Sequence, residues 1–153
     1  MHDHDEQPWY LMVGVPSLLR GARRTYGTAI RAALGAVGCE DMPRNGAFVV
    51  GAIDRGGSPL GGIIRHLGVS KQAGGQLVDT LVVRGYLERS PDPDDRRRMT
   101  VTLTDRGRLA AGVTRQAVED VDAELTARVG MESVVRTRAT LGALIDLGGG
   151  AAD

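Results

Sequence analysis

Three consecutive arginines, Arg96, Arg97 and Arg98, follow the acidic run Asp92-Pro93-Asp94-Asp95, and a second polar group, Ser70, Lys71, Gln72 and Gln76, precedes them in the chain. A guanidinium group is a planar fork that grips phosphate, and a glutamine amide can pair in a bidentate way with adenine. Serine and lysine donate to phosphates or to base edges. Together these residue types suit a nucleic-acid duplex, provided that one scaffold presents both groups to it. Taken singly, each has a plainer reading: the first is an ordinary charged loop and the second the solvated face of an amphipathic helix.

The elements around them supply such a scaffold. After Pro59, Leu60, Ile63, Ile64 and Leu67 recur at i, i+3, i+4 and i+7, the mark of a short helix with one buried face. Gly68 breaks it, and Ser70 is a suitable N-cap for a helix over 70–84. Two helices joined by a tight turn containing glycine make a helix-turn-helix. On the second helix Ala73, Leu77 and Leu81 fall on one side, expected to pack, and Gln72, Gly75, Gln76 and Asp79 on the other. Gly74 and Gly75 lie inside this helix, where each costs about 1 kcal/mol relative to alanine. Gly75 either softens the helix or allows close approach to a duplex, and Gly61 and Gly62 weaken the preceding helix in the same way. A strand is expected over 86–90 and a clearer one over 99–103, where Met99, Val101 and Leu103 alternate with threonines. The proline-rich, charged stretch between them reads as the exposed loop of a hairpin, a wing.

Outside this centre, a helix is expected over 17–37, with Pro16 just before it, and another over 43–54, ended by Gly56-Gly57. Thr104 is a plausible N-cap for a long helix reaching Val129, with Leu109, Val113, Ala117, Val121 and Leu125 spaced by four, and a last helix is expected over 132–147. The first and last helices have little to cover within so small a core, so their apolar stripes imply a second copy of the chain.

Composition agrees in part. The formal net charge is zero, so the balance of the whole chain does not point to a polyanion. From Arg55 to Arg108, however, ten basic residues face six acidic ones, a net charge of +4. All but one of the basic side chains are arginine, which reads more readily as the mark of a G+C-rich genome than as a binding device. No apolar run is long enough to span a membrane and the N-terminus lacks the order of a signal peptide, so a cytoplasmic protein without a membrane partner is expected.

The order of elements and the wording of the centre resemble the MarR family of multiple-antibiotic-resistance regulators. The residues that carry the resemblance are Leu67-Gly68-Val69-Ser70-Lys71-Gln72, Leu77-Val78-Asp79-Thr80-Leu81, Arg84-Gly85-Tyr86-Leu87-Glu88-Arg89, Asp92-Pro93-Asp94-Asp95-Arg96-Arg97 and Val101-Thr102-Leu103-Thr104-Asp105-Arg106-Gly107. The family's wing signature, Asp-x-Arg followed after five residues by Leu-Thr, is met by Asp95, Arg97, Leu103 and Thr104. The resemblance implies an α+β, mostly α, winged helix-turn-helix with N- and C-terminal dimerisation helices. Ser70, Lys71, Gln72, Gly75 and Gln76 would lie in the major groove of double-stranded DNA and Arg97 in the minor groove, oriented by Asp95, with Arg96 and Arg98 on phosphate. The implied organisation is a tail over 1–10, dimerisation helices over 11–40 and 108–147, the DNA-binding winged helix over 43–107, and a tail over 148–153. The implied function is a dimeric repressor that leaves a pseudo-palindromic operator when a small aromatic or phenolic ligand enters a cleft; Tyr26, Ile30, Leu34 and Met42 are the candidates for lining it, with core packing as their alternative role.

Other chemistry has weaker support. Cys39 excludes an internal disulfide, and a thiol redox sensor at Cys39 is disfavoured because Glu40 and Asp41, if close, oppose a thiolate. His2 and His4 sit beside Asp3 and Asp5, but a mobile tail seldom makes a preformed metal site, so neither metal nor cofactor is expected. The chain has no GxSxG, HExxH or GxxxxGK[ST] motif, and no catalytic residue is assigned. A winged domain that binds protein in place of DNA remains an alternative, against which the three wing arginines speak.

Overall fold

The computed structural model describes residues 7–56, 59–92 and 99–148. Among them a 3-10 turn at Trp9–Met12 leads into α1 (Val15–Ala36), α2 (Gly46–Arg55), α3 (Leu60–His66), α4 (Lys71–Val83), β1 (Leu87–Pro91), β2 (Met99–Leu103), α5 (Asp105–Val129) and α6 (Met131–Leu147). The strands form an antiparallel pair in which Leu87 faces Leu103 and Arg89 faces Val101. The expected α+β, mostly helical, winged-helix architecture is the one observed.

Both expected caps form. Ser70 Oγ accepts from the Ala73 amide at 3.1 Å and Thr104 Oγ1 from the Gly107 amide at 3.0 Å, each satisfying a donor that the first helical turn leaves open. Several boundaries shift for local reasons. The second helix starts at Gly46, because Pro43 and Gly46 close a turn and Asn45 takes a left-handed conformation that no helix continues. Tyr86 lies outside β1, since its amide donates back to Leu81 O and closes the end of α4. Ordered structure reaches into the segment expected to be a tail: Trp9 and Tyr10 meet edge to face at 6.0 Å. Gly148 caps α6 through its amide, and residues 1–6, which include His2 and His4, and 149–153 lie outside the described residues.

One core runs through the molecule, from Leu34 and Cys39 through Val49, Val50, Ile63, Leu81 and Tyr86 to Ala110 and Ala111. The packing face of α4 differs from the expected one. Gly74, Val78 and Leu81 are buried, whereas Ala73 is exposed and Leu77 only half-buried. The reason is the crossing with α3: a Cβ on Gly74 would lie 2.2 Å from Ile64 Cγ2, so the helices meet where the side chain is missing, and the buried stripe is centred there. The same logic holds at Gly107, where a Cβ would stand 2.0 Å from the Tyr86 carbonyl oxygen. This glycine lets the start of α5 lie directly on the backbone that enters the hairpin.

The long helix α5 changes partners along its length. Ala110, Ala111, Thr114 and Ala117 are buried near its start, whereas Leu109 and Leu125, expected on the apolar stripe, are exposed. Further along, Tyr26 of α1 donates to Asp122 Oδ1 at 2.5 Å and Arg138 of α6 to Asp122 Oδ2 at 2.7 Å, so one carboxylate joins three helices. That hydrogen bond, reinforced by partial burial, raises the Tyr26 pKa, because the neutral phenol is the donor. Among the described residues no helix is long and apolar enough to cross a membrane.

Candidate nucleic-acid interface

Helix α4 is held by its buried side and presents the other. Lys71, Gln72, Gly75 and Gln76 are exposed along it, beginning at the Ser70 cap. A Cβ on Gly75 would meet nothing within 4 Å, so the position has open space above it. Lys71 heads the helix, where several backbone amides also point outward, and the combination favours an anion such as phosphate. The four polar or glycine positions and the cap are thus on one accessible ridge.

The hairpin is fastened beside that ridge. Arg89 on β1 pairs with Asp79 on α4, a contact the sequence alone did not suggest. Asp79 was expected on the outward face of the helix; it is exposed, but its carboxylate turns to the strand. β1 and β2 leave the body together at Pro91 and Met99. The wing residues Asp95, Arg96, Arg97 and Arg98 lie outside the described residues, within the connection that these strands launch.

A polar knot holds the far end of α4. Tyr86 is fully buried and donates its hydroxyl to Asp41 Oδ1 at 2.5 Å. Arg106 from the start of α5 pairs with the same carboxylate at 2.8 Å and lies over the Tyr86 ring, 4.4 Å from its centroid. It also donates to the carbonyls of Gly38 at 3.0 Å and Arg84 at 2.6 Å, while Arg84 donates to the Asp41 carbonyl. Burial, and then the bond to Asp41, push the Tyr86 phenol well above its ordinary pKa. The Asp41 carboxyl is held below its ordinary value by the Tyr86 hydrogen bond and by Arg106. The turn after α1, the end of α4 and the start of α5 therefore share one set of charged contacts. The sequence raised Asp41 only as a neighbour of the Cys39 thiol and Arg106 only within the Thr104-Asp105-Arg106-Gly107 segment, and nothing in it joined the two.

The Cys39 thiol borders this knot, beside the Tyr86 hydroxyl and the Arg106 guanidinium that hold the Asp41 carboxylate. Cys39 is itself buried, with its sulfur 3.9 Å from the Val37 carbonyl oxygen.

On the other side of the 39–42 turn lies a cleft of about 810 Å³ between α1 and the start of α2. Of the four residues considered for a ligand cleft, Ile30, Leu34 and Met42 are brought together in its wall. Tyr26 is not among the lining residues, because its hydroxyl is committed to Asp122 on α5.

Residues 40–98 match the model of the MarR family. Known structures extend the likeness over most of the chain. S. aureus MepR, solved in complex with DNA, aligns with a TM-score of 0.70 at 16% identity, over 88% of this chain and 98% of that one. A probable transcriptional regulator from Pseudomonas aeruginosa aligns with a TM-score of 0.64 at 24% identity, over 88% and 99%. E. coli MarR in its reduced form aligns with a TM-score of 0.63 at 22% identity, over 87% and 97%. No curated protein matches the chain in sequence. At these identities the structural likeness concerns the fold; the family resemblance rests on the central segment, where the residues quoted above lie.

Proposed function

We propose that the chain is a DNA-binding transcription regulator that acts as a homodimer. The observation that carries this reading is the ridge of α4: a capped, firmly packed helix that exposes Lys71, Gln72, Gly75 and Gln76 beside a two-stranded hairpin. Its Gln and Lys side chains would read base edges and phosphates in the major groove, and Arg97, with Asp95 beside it, would enter the minor groove from the wing. The apolar surface at both ends of the chain, including Trp9, Leu11 and Met12 near the start and Val135, Leu144 and Ile145 on α6, supports pairing with a second copy. Two recognition helices about 34 Å apart would then match a pseudo-palindromic operator. Repression, relieved when a small molecule fills the α1–α2 cleft, is the output this arrangement favours, since Cys39, Glu40 and Met42 line the cleft and Asp41, within the same turn, ties the end of α4 to α5.

The test is fluorescence anisotropy with DNA from upstream of the chain's own gene, titrated over salt against a scrambled duplex. Tighter binding to the native duplex, a steep loss with salt, and a weakening of about tenfold in Arg97→Ala are expected. Equal, weak binding to both duplexes with no effect of Arg97→Ala, repeated with operators selected from the whole genome, would overturn it.

A further inference from the structure

The α1–α2 cleft carries a charge pattern that its size and apolar residues do not explain. Arg20, Arg23, Arg24 and Arg31 of α1 and Arg44 before α2 line it, against one carboxylate, Glu40, giving the wall a net charge of +4. Seven other arginines, from Arg89 to Arg138, each hold an aspartate or glutamate. The five at the cleft form no ion pair among the described residues, and Arg31 donates only to Thr28 Oγ1 at 3.1 Å. Like charges gathered without counterions repel one another and lower stability, so the arrangement calls for an anion. Beneath them Ile30, Leu34 and Met42 supply an apolar floor, and Gly27 leaves the α1 wall open between Arg24 and Arg31.

We propose that this cleft binds a small apolar or aromatic molecule bearing a phosphate group. The inference rests on the regulator reading only for its consequence, release of DNA; the recognition itself follows from the cleft. A carboxylate satisfies one guanidinium fork and leaves the others repelling. A phosphate monoester carries a charge of about −1.5 to −2 on three acceptor oxygens and engages several forks at once. A duplex also offers phosphate, but it has no apolar body to lay on Ile30, Leu34 and Met42.

Isothermal titration calorimetry of the full chain with naphthyl phosphate, naphthoate and naphthol holds the ring constant and varies the charge. Naphthyl phosphate is expected to bind roughly tenfold tighter than naphthoate, with naphthol weaker still and with inorganic phosphate alone far weaker than naphthyl phosphate. Arg24→Ala combined with Arg31→Ala should bring the phosphate down to the naphthoate level, leave naphthol unchanged and hold or raise the melting temperature, since neither side chain has an ion pair among the described residues and their removal relieves repulsion; lysine at both positions should restore part of the difference. Naphthoate or naphthol binding as tightly as the phosphate, or inorganic phosphate matching naphthyl phosphate, overturns the proposal. So does a double variant that weakens operator binding but not naphthyl phosphate binding, because the arginines would then serve the duplex. The calorimetry contains no DNA and so reads the cleft alone. Naphthyl phosphate that binds without displacing the operator counts against ligand-relieved repression and leaves the cleft assignment standing.

Discussion

Helices α4 and α6 are both amphipathic by sequence, yet they end in opposite situations. In α4 the apolar stripe is closed within the chain: Val78 and Leu81 are buried and Gly74 meets Ile64 at the α3 crossing. Over the seventeen residues of α6 only Val134 is buried, while Met131, Val135, Leu144, Ile145 and Leu147 are exposed. Apolar surface of that extent seldom stays in water. The difference teaches that the same periodicity can specify a fold in one place and an association in another. What separates them is whether the chain itself supplies a facing surface.

The comparison can be broken most directly by substituting an apolar residue in each helix. Leu81 is fully buried, and Leu81→Ala should cost about 2–5 kcal/mol in denaturant-induced unfolding, as cavities in packed cores do. Ile145→Glu should leave the helical circular dichroism of the chain intact and instead halve the mass seen by sedimentation equilibrium. An unchanged mass would mean that α6 does not mediate association of the chain.

A finer test uses two neighbours in α4. Gly74→Ala places its methyl against Ile64 and should destabilise by about 1–3 kcal/mol through overpacking. Gly75→Ala meets nothing within 4 Å and should stabilise the free protein by up to about 1 kcal/mol through helix propensity. Thermal melts of the two variants would move in opposite directions. If Gly75→Ala also weakens operator binding, that glycine serves close approach to the duplex.

The smallest effect concerns the knot that holds α4 to its neighbours, for which α6 has no counterpart among the described residues beyond Arg138 and Asp122. The Asp41 carboxyl has its pKa lowered in the folded chain, so its contribution is present above the ordinary carboxylate pKa and is lost as pH falls through the folded value. The wild-type melting temperature should therefore drop between about pH 6 and about pH 3 by more than that of Asp41→Asn, which should start lower and vary less. Parallel curves would show that Asp41 contributes no pH-dependent stability.

Much of this could be read from residues. The helix-turn-helix, both serine and threonine caps and the two strands follow from periodicity and capping chemistry, which act over a few residues and are visible locally. The exposed candidates Lys71, Gln72, Gly75 and Gln76 follow from the same periodicity. The precise buried stripe did not, because Ala73 and Gly74 differ by a single step around the helix and the choice was made by Ile64 on another helix. Tyr26 illustrates the same limit at the cleft: its type suited a ligand wall, but a carboxylate nearly a hundred residues away, Asp122, claims its hydroxyl.

By itself the sequence determined the order of the elements, where they are capped and which central residues are polar, since each is set by backbone preferences and short-range spacing. Only the tertiary structure decided which charges meet. It placed Asp41 against Tyr86 and Arg106, turned Asp79 to Arg89, and left five arginines around one cleft without an ion pair among the described residues. Those encounters depend on how helices cross, and a charge has no partner until the fold brings one within a few ångströms.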